Sequence, residues 1–204
     1  MRETPTQVRA QERLKHIVMT AETLMLEQGF DAFKMNTLSQ RAQVNIATIY
    51  RYFPNKTALA MGLLDDYLVQ YRRLLAAQIK AAETSSIERV VDVLVEGYLD
   101  FFQSHPAFVA VWKGLQGTLA FKQKDIEDSR HNSCLLCESV GAFFPQIDHE
   151  LMADAMFMVC EMTSNLMPTL LALEPHQASV FKHHMKQMIT RYLSDIFDQQ
   201  PDET

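Results

Sequence analysis

An all-α fold is predicted by three observations. Apolar residues recur three or four apart along most of the 204 residues. Glycine and proline are sparse, at six and seven, so few turns interrupt the periodic stretches. No convincing segment alternates apolar and polar residues as a half-buried strand does. The length suits one large or two small domains. An apolar fraction of 48% with 22% charged residues is ordinary for a soluble globular protein. There is no run of about 18 apolar residues, so no membrane-spanning helix and no membrane partner are expected. The polar start, Met1 to Gln7, has no apolar signal core. The expected location is the cytoplasm.

The helices follow in order. The first is expected over about Arg9 to Gln28, with Ile17, Ala21, Leu24 and Met25 on its apolar face and Gly29 as its terminator. Phe30 and Phe33 then plug the core of a small N-terminal domain. The second covers Met35 to Ala42 and the third Ile46 to Phe53. Asn45 caps the third, and Pro54 ends it, because proline disfavours helical geometry in the residue before it. Asn55 caps a long fourth helix from Lys56 to about Ala82. In Ser85-Ser86-Ile87-Glu88 the spacing is that of a capping box, with Ser85 as cap, and it opens the fifth helix. Ser104-His105-Pro106 closes the fifth and opens the sixth, and Gly114 and Gly117 loosen the chain after it. The seventh is expected over about Asp125 to Phe144. The eighth runs from an Asp148 cap to about Leu173, kinked or cut short by Pro168. Glu174-Pro175 opens the ninth, which reaches about Asp198, and the polar tail Gln199 to Thr204 is expected to fray.

Leu38-Ser39-Gln40-Arg41-Ala42, the tight link Gln43-Val44, and Asn45 through Lys56 are the most informative stretch. Two short helices joined by three or four residues form a helix-turn-helix, whose second helix enters the major groove of DNA. The charge distribution agrees. The net charge is −6, yet residues 1–56 carry eight Lys and Arg against five acids, and the remainder 11 against 20. A basic head on an acidic body fits DNA contact by one end. Asn45, Ala47 and Thr48, on the first turn of the third helix, form the expected groove-facing set. Asn36 and Thr37 open the second helix and are candidates for a phosphate or a base edge. Lys56 starts the fourth helix, where backbone N–H groups and its ammonium suit one phosphate. Ile49 and Phe53 are expected in the core, and Arg2, Arg9 and Arg13 are candidates for a flexible arm on DNA.

Residues 13–60 resemble the DNA-binding domain of the TetR family of bacterial transcriptional regulators. The likeness is carried by Gln28-Gly29-Phe30, by Leu38 through Val44, and by Ala47-Thr48-Ile49-Tyr50-Arg51-Tyr52-Phe53-Pro54-Asn55-Lys56-Thr57-Ala58-Leu59, in that order and spacing. Three positions depart from the family pattern. Gln43 stands where the family usually has glycine in the turn, so a positive φ is expected there at about 1 kcal/mol. Ile46 replaces a polar or basic residue. Lys34 replaces the hydroxyl before the second helix, so Asn36 is the expected cap. The resemblance implies phosphate donation by Tyr50 and Tyr52, a palindromic double-stranded operator, a homodimer and a small-molecule effector. It also implies a domain boundary at 55/56, with helices four to eight of residues 56–204 enclosing the effector.

The apolar stripes of helices eight and nine supply a dimer surface, with Met156, Val159, Thr163 and Met167 on one and Phe181, Met185, Met188 and Tyr192 on the other. Expected pocket walls are Tyr67, Tyr71, Tyr98, Phe101, Phe102, Phe108, Trp112 and Met162, suiting a largely apolar or planar ligand; the same stripe also reads as plain core. Glu161 and Asn165 interrupt helix eight's apolar stripe. Three cysteines make no disulfide framework, and Cys134 and Cys137 lack a second pair for zinc. They read as small apolar residues, with thiol redox sensing as an alternative. There is no nucleophile elbow, phosphate-binding glycine loop or metal-ligand pattern, so no enzyme activity, catalytic residue, cofactor or metal is expected. A repressor is the first expectation. An adaptor that keeps the fold without binding DNA is the other, favoured by Ile46 and the net acidity.

Overall fold

The computed structural model describes residues 5–82, 86–141 and 143–197. Among them the chain forms nine helices and no strand: α1 (Pro5–Ala32), α2 (Met35–Ala42), α3 (Ile46–Tyr52), α4 (Lys56–Ala82), α5 (Ile87–Ser104), α6 (Pro106–Leu115), α7 (Leu119–Val140), α8 (His149–Ala172) and α9 (Pro175–Phe197). Two compact units result. The first takes residues up to Leu68 together with His105–Lys122, and the second takes Val69–Ser104 and Gln123 onward. The boundary expected at 55/56 marks the start of α4, whereas packing carries the first unit on through half of α4 and adds α6.

In the first unit the expected face of α1 is the buried one, with Ile17, Ala21, Leu24 and Met25 all shut off from solvent. Gly29 breaks the helix as expected, at φ 75°, though one more helical turn follows it to Ala32. Phe33 is buried and Phe30 half-buried. α6 packs against α1. Its Gly114 lies inside the helix, not after it, and a Cβ there would stand 2.1 Å from Cγ of Phe30. The glycine therefore admits the Phe30 ring against α6.

In the second unit α5 and α9 pack on each other, and both pack on α8. Lys186 donates to Asp92 at 2.7 Å and to Glu96 at 2.6 Å, and Lys182 donates to Glu96 at 3.0 Å, so ion pairs clasp α9 to α5. Several caps are those expected: Asn55 accepts from the Ala58 amide at 2.8 Å, and Asp148 from Glu150 and Leu151 at 3.0 Å each. Others differ. Lys34 holds the N-cap position of α2 without a side-chain bond, and Asn36 sits exposed within the first turn. Ser85 lies outside the described residues; the amide of Arg89 reaches Ser86 Oγ instead, at 3.3 Å. Arg2 and the tail Gln199–Thr204 also lie outside them. α7 begins six residues before Asp125, because Thr118 accepts from the Phe121 amide at 3.2 Å, and it stops at Val140, ahead of Gly141. α8 continues through Pro168 to Ala172.

Candidate nucleic-acid interface

The link between α2 and α3 is held by a short set of bonds. Gln43 adopts the left-handed conformation, φ 53° and ψ 37°, as its place in the turn requires. The Gln43 amide donates to Gln40 O at 3.3 Å and the Val44 amide to Ser39 O at 3.1 Å. The Ser39 hydroxyl closes the turn by donating to Val44 O at 2.7 Å. Asn45 Oδ1 then accepts the Ala47 amide at 2.8 Å and starts α3. Leu38 and Ile49, both fully buried, fix the rotation of the two helices about their axes.

All eight residues expected at DNA belong to the first unit and none is buried. Asn36, Asn45 and Ala47 are exposed, and Tyr50 keeps 46% of its surface open, so core packing does not claim it. Thr37, Thr48, Tyr52 and Lys56 are half-exposed. The Lys56 ammonium is engaged within the protein. It donates to Phe30 O at 3.2 Å and Asp31 O at 3.4 Å, and lies 4.4 Å from the centre of the Phe30 ring. What the start of α4 offers outward is the backbone amides of Lys56 and Thr57, which have no acceptor within the helix, the Ala58 amide being taken by Asn55. Arg41 is also engaged, by a bidentate pair with Glu27 at 2.7 and 2.8 Å. Two cations escaped the sequence reading. Arg51 is exposed one turn after Ala47, with its guanidinium 5.6 Å from the Tyr52 ring centre, and Lys34 is exposed ahead of α2. The signal for Arg51 was its spacing of four from Ala47, which puts both on one face.

The expected pocket walls divide between the two units. Tyr67, Phe108 and Trp112 build the core of the first: Tyr67 stacks on Phe108 at 5.3 Å, Phe108 on Trp112 at 5.4 Å, and Trp112 on Phe121 at 4.8 Å. Tyr71, Tyr98, Phe101 and Phe102 are buried in the second, with Tyr71 and Tyr98 4.3 Å apart, and Met162 is half-exposed. Clefts of about 380 to 450 Å³ open on the second unit, but none of the eight lines them. The interior of this unit is more polar than the apolar pattern foretold. Arg72 pairs with the buried Asp128. Asn132, wholly buried, donates through Nδ2 to Asp128 at 2.9 Å and to the Tyr98 hydroxyl at 3.3 Å. Its Oδ1 accepts nothing, and the buried Tyr71 hydroxyl finds no partner of ordinary geometry. Burial, then the charges beside them, pushes both tyrosine hydroxyls well above their usual range. Burial also raises the Asp128 carboxyl, against the pull of Arg72.

The dimer stripe is corrected by burial. Met156, Val159, Thr163, Met167 and Met185 are closed inside the protomer, so a second chain cannot reach them without opening it. The open apolar surface of these helices includes Leu151 (36% exposed), Met158 (50%), Val180 (45%) and Met188 (46%), with Phe181 and Tyr192 half-exposed. Asn165 is exposed and bonds to Glu161 O at 2.7 Å. Of the thiols, Cys134 is exposed, Cys137 and Cys160 are buried, and all are free. Burial pushes Cys137 up to about 11, away from the thiolate a redox sensor needs. Among the described residues no group of three His, Cys, Asp or Glu side chains could hold a metal, and no helix could cross a membrane.

Comparison with known proteins bears on the whole of this arrangement. Residues 17–61 match the bacterial regulatory proteins of the tetR family, and residues 85–197 match the tetracyclin repressor-like C-terminal domain. The HTH-type transcriptional repressor NemR of Escherichia coli K12 is 24% identical over 140 residues, covering 59% of this chain and 70% of NemR. The uncharacterized HTH-type regulator YdeS of Bacillus subtilis is 45% identical over 47 residues, 23% of this chain and 24% of its own. A TetR-family regulator from Streptomyces coelicolor superimposes with a TM-score of 0.66 at 18% identity, over 90% of this chain and 99% of that one. FadR of Bacillus subtilis, solved with stearoyl-CoA, gives 0.62 at 15%, over 87% and 97%. At such identities the structures speak for the fold alone, but the second sequence match by itself spans more than half of the chain. With a pinned helix-turn-helix in front of an all-helical unit, and both halves matched in sequence, this chain belongs to the TetR family of bacterial transcriptional regulators.

Proposed function

We propose that this regulator is a homodimeric repressor that holds a palindromic DNA operator and releases it on binding a small effector. The observation that carries the reading is the mounting of α3. Its only fully buried side chain is Ile49, and its first amides are tied by Asn45, so the helix is rigid while Ala47, Tyr50 and Arg51 face solvent. Ala47, Thr48 and Asn45 enter the groove, Tyr50 and Tyr52 donate to flanking phosphates, and Asn36, Thr37 and the first amides of α4 at Lys56 hold the backbone. Two such heads, joined through the open faces of α8 and α9, read two half-sites. The effector is small and largely apolar, with Tyr71, Tyr98, Phe101, Phe102 and Met162 as its candidate walls. It carries at least one hydroxyl group, because a hydroxyl can donate to Asn132 Oδ1, which otherwise stays unsatisfied at a cost of about 1–3 kcal/mol. The regulator resides in the cytoplasm with its operator.

The test is capture of sheared DNA from the source genome on the purified protein, at two salt concentrations, followed by sequencing. Enrichment of a short palindrome that fades steeply with salt is expected, because phosphate contacts release counterions. A folded dimer that enriches nothing at either salt would overturn the reading and leave the adaptor role.

A further inference from the structure

We propose that Ala47 and Ile46 read thymine through its C5-methyl group, so each half-site carries T·A pairs where the first turn of α3 enters the major groove. This deepens the DNA-binding reading above and rests on it. The N-terminal residues of a recognition helix are those that reach base edges. Ile49 is buried and sets which side of α3 faces inward. At 100° per residue, Ala47 stands about 160° from Ile49 around the helix, nearly opposite the core. Ala47 is exposed, and Ile46, about 60° from Ile49 at the edge of the buried face, is half-exposed at the very start of the helix.

Neither side chain has a donor or an acceptor. The polar residue that precedes them is partly committed, since Asn45 Oδ1 already accepts the Ala47 amide at 2.8 Å. Adenine is read bidentately by an Asn that presents both its oxygen and its nitrogen. Asn45 therefore offers its amide hydrogens, which suit an acceptor such as thymine O4 or a phosphate. Of the four bases, thymine alone adds an apolar group to the major-groove edge. Guanine, cytosine or adenine opposite Ala47 and Ile46 would lose water from polar atoms and gain no bond in return. A thymine methyl would instead be buried against two methyl-bearing side chains.

The experiment uses the full-length protein and a random-sequence duplex library. The enriched sequence is resynthesised with deoxyuridine replacing each thymidine in turn, symmetrically in both half-sites. Deoxyuridine keeps the pairing and removes only the methyl. At one or two positions per half-site the affinity should fall about fourfold for each methyl lost, or roughly fifteenfold for the symmetric pair. At those positions 5-methylcytosine paired with guanine should bind better than plain cytosine. Ala47→Gly and Ile46→Ala, tested separately, should each erase the deoxyuridine penalty at its own position. An enriched sequence whose affinity ignores every deoxyuridine substitution would overturn the inference while leaving DNA reading intact. So would a penalty that is undiminished in both variants. A selection that enriches no sequence would instead bring down the DNA-binding reading, and this inference with it.

Discussion

At Gly114 a methyl group would stand 2.1 Å from Cγ and 2.2 Å from Cβ of Phe30. Those are the root atoms of the ring, so no rotation about the far bonds relieves the clash. In an open helix, glycine to alanine gains up to about 1 kcal/mol from propensity. Here the sign should reverse. Gly114→Ala should cost about 1–3 kcal/mol by overpacking and lower the midpoint of thermal unfolding by several degrees. A raised midpoint would mean Phe30 moves aside freely. Nothing in the sequence distinguishes this glycine from a loop glycine, because its reason lies 84 positions away in the partner helix. Gln43 was the opposite case. Its left-handed φ of 53° was legible through the resemblance, since the family usually places glycine at that position of the turn.

At the scale of an element, what could be read was whatever is local. Asn45, Asn55 and Asp148 cap from within three residues of the amides they bind, and all three were identified. α7 was placed late because Thr118, its actual start, follows Gly117 in a stretch whose glycines suggested a loop. The α5–α9 clasp was invisible, because it joins positions about 90 apart, and it carries a pH signature. For Glu96, burial pulls the carboxyl up, but hydrogen bonds from Lys186 and Lys182 outweigh it and hold the pKa below 4.5. For Lys186, burial pulls down while Asp92 and Glu96 raise it above 10.5. A depressed carboxyl contributes stability above its unfolded pKa, and that stability is lost as pH falls through the folded one; the raised lysine loses its share as pH rises through its folded value. The clasp is therefore complete between about pH 4.5 and 10.5. These groups are partly exposed, so the contribution is only about 0.2–1 kcal/mol. Urea unfolding of wild type and Glu96→Gln should differ by a constant amount from pH 5 to 9 and converge as pH falls below 4.5 through the depressed folded pKa of Glu96. A difference that does not shrink as pH falls below 4.5 would assign the effect to packing instead.

At the scale of the whole molecule, hydrophobic periodicity shows that a helix has an apolar face but not what covers it. The stripes of α8 and α9 are wide, and the protomer closes over their centre at Met156, Val159 and Met185, leaving Met158, Val180 and Met188 open. Met188→Asp should therefore leave the chain folded while burying an unpaired charge twice in the dimer proposed above. Sedimentation should show dimer dissociation strengthened by about a hundredfold or more. A dimer of unchanged strength would remove α9 from the interface. Packing divides the chain otherwise than the expected boundary at 55/56. A domain reads as a continuous stretch, yet the first unit needs α6, which follows 36 residues belonging to the second. That insertion governs how the protein is born. A ribosome releases α1, α2 and α3 first, but Phe30 lacks the cover of α6 until Gly114 and its neighbours emerge. The head's packing is thus completed only after α5 has been made, so a nascent chain cut short before α6 should leave part of the apolar face of α1 uncovered.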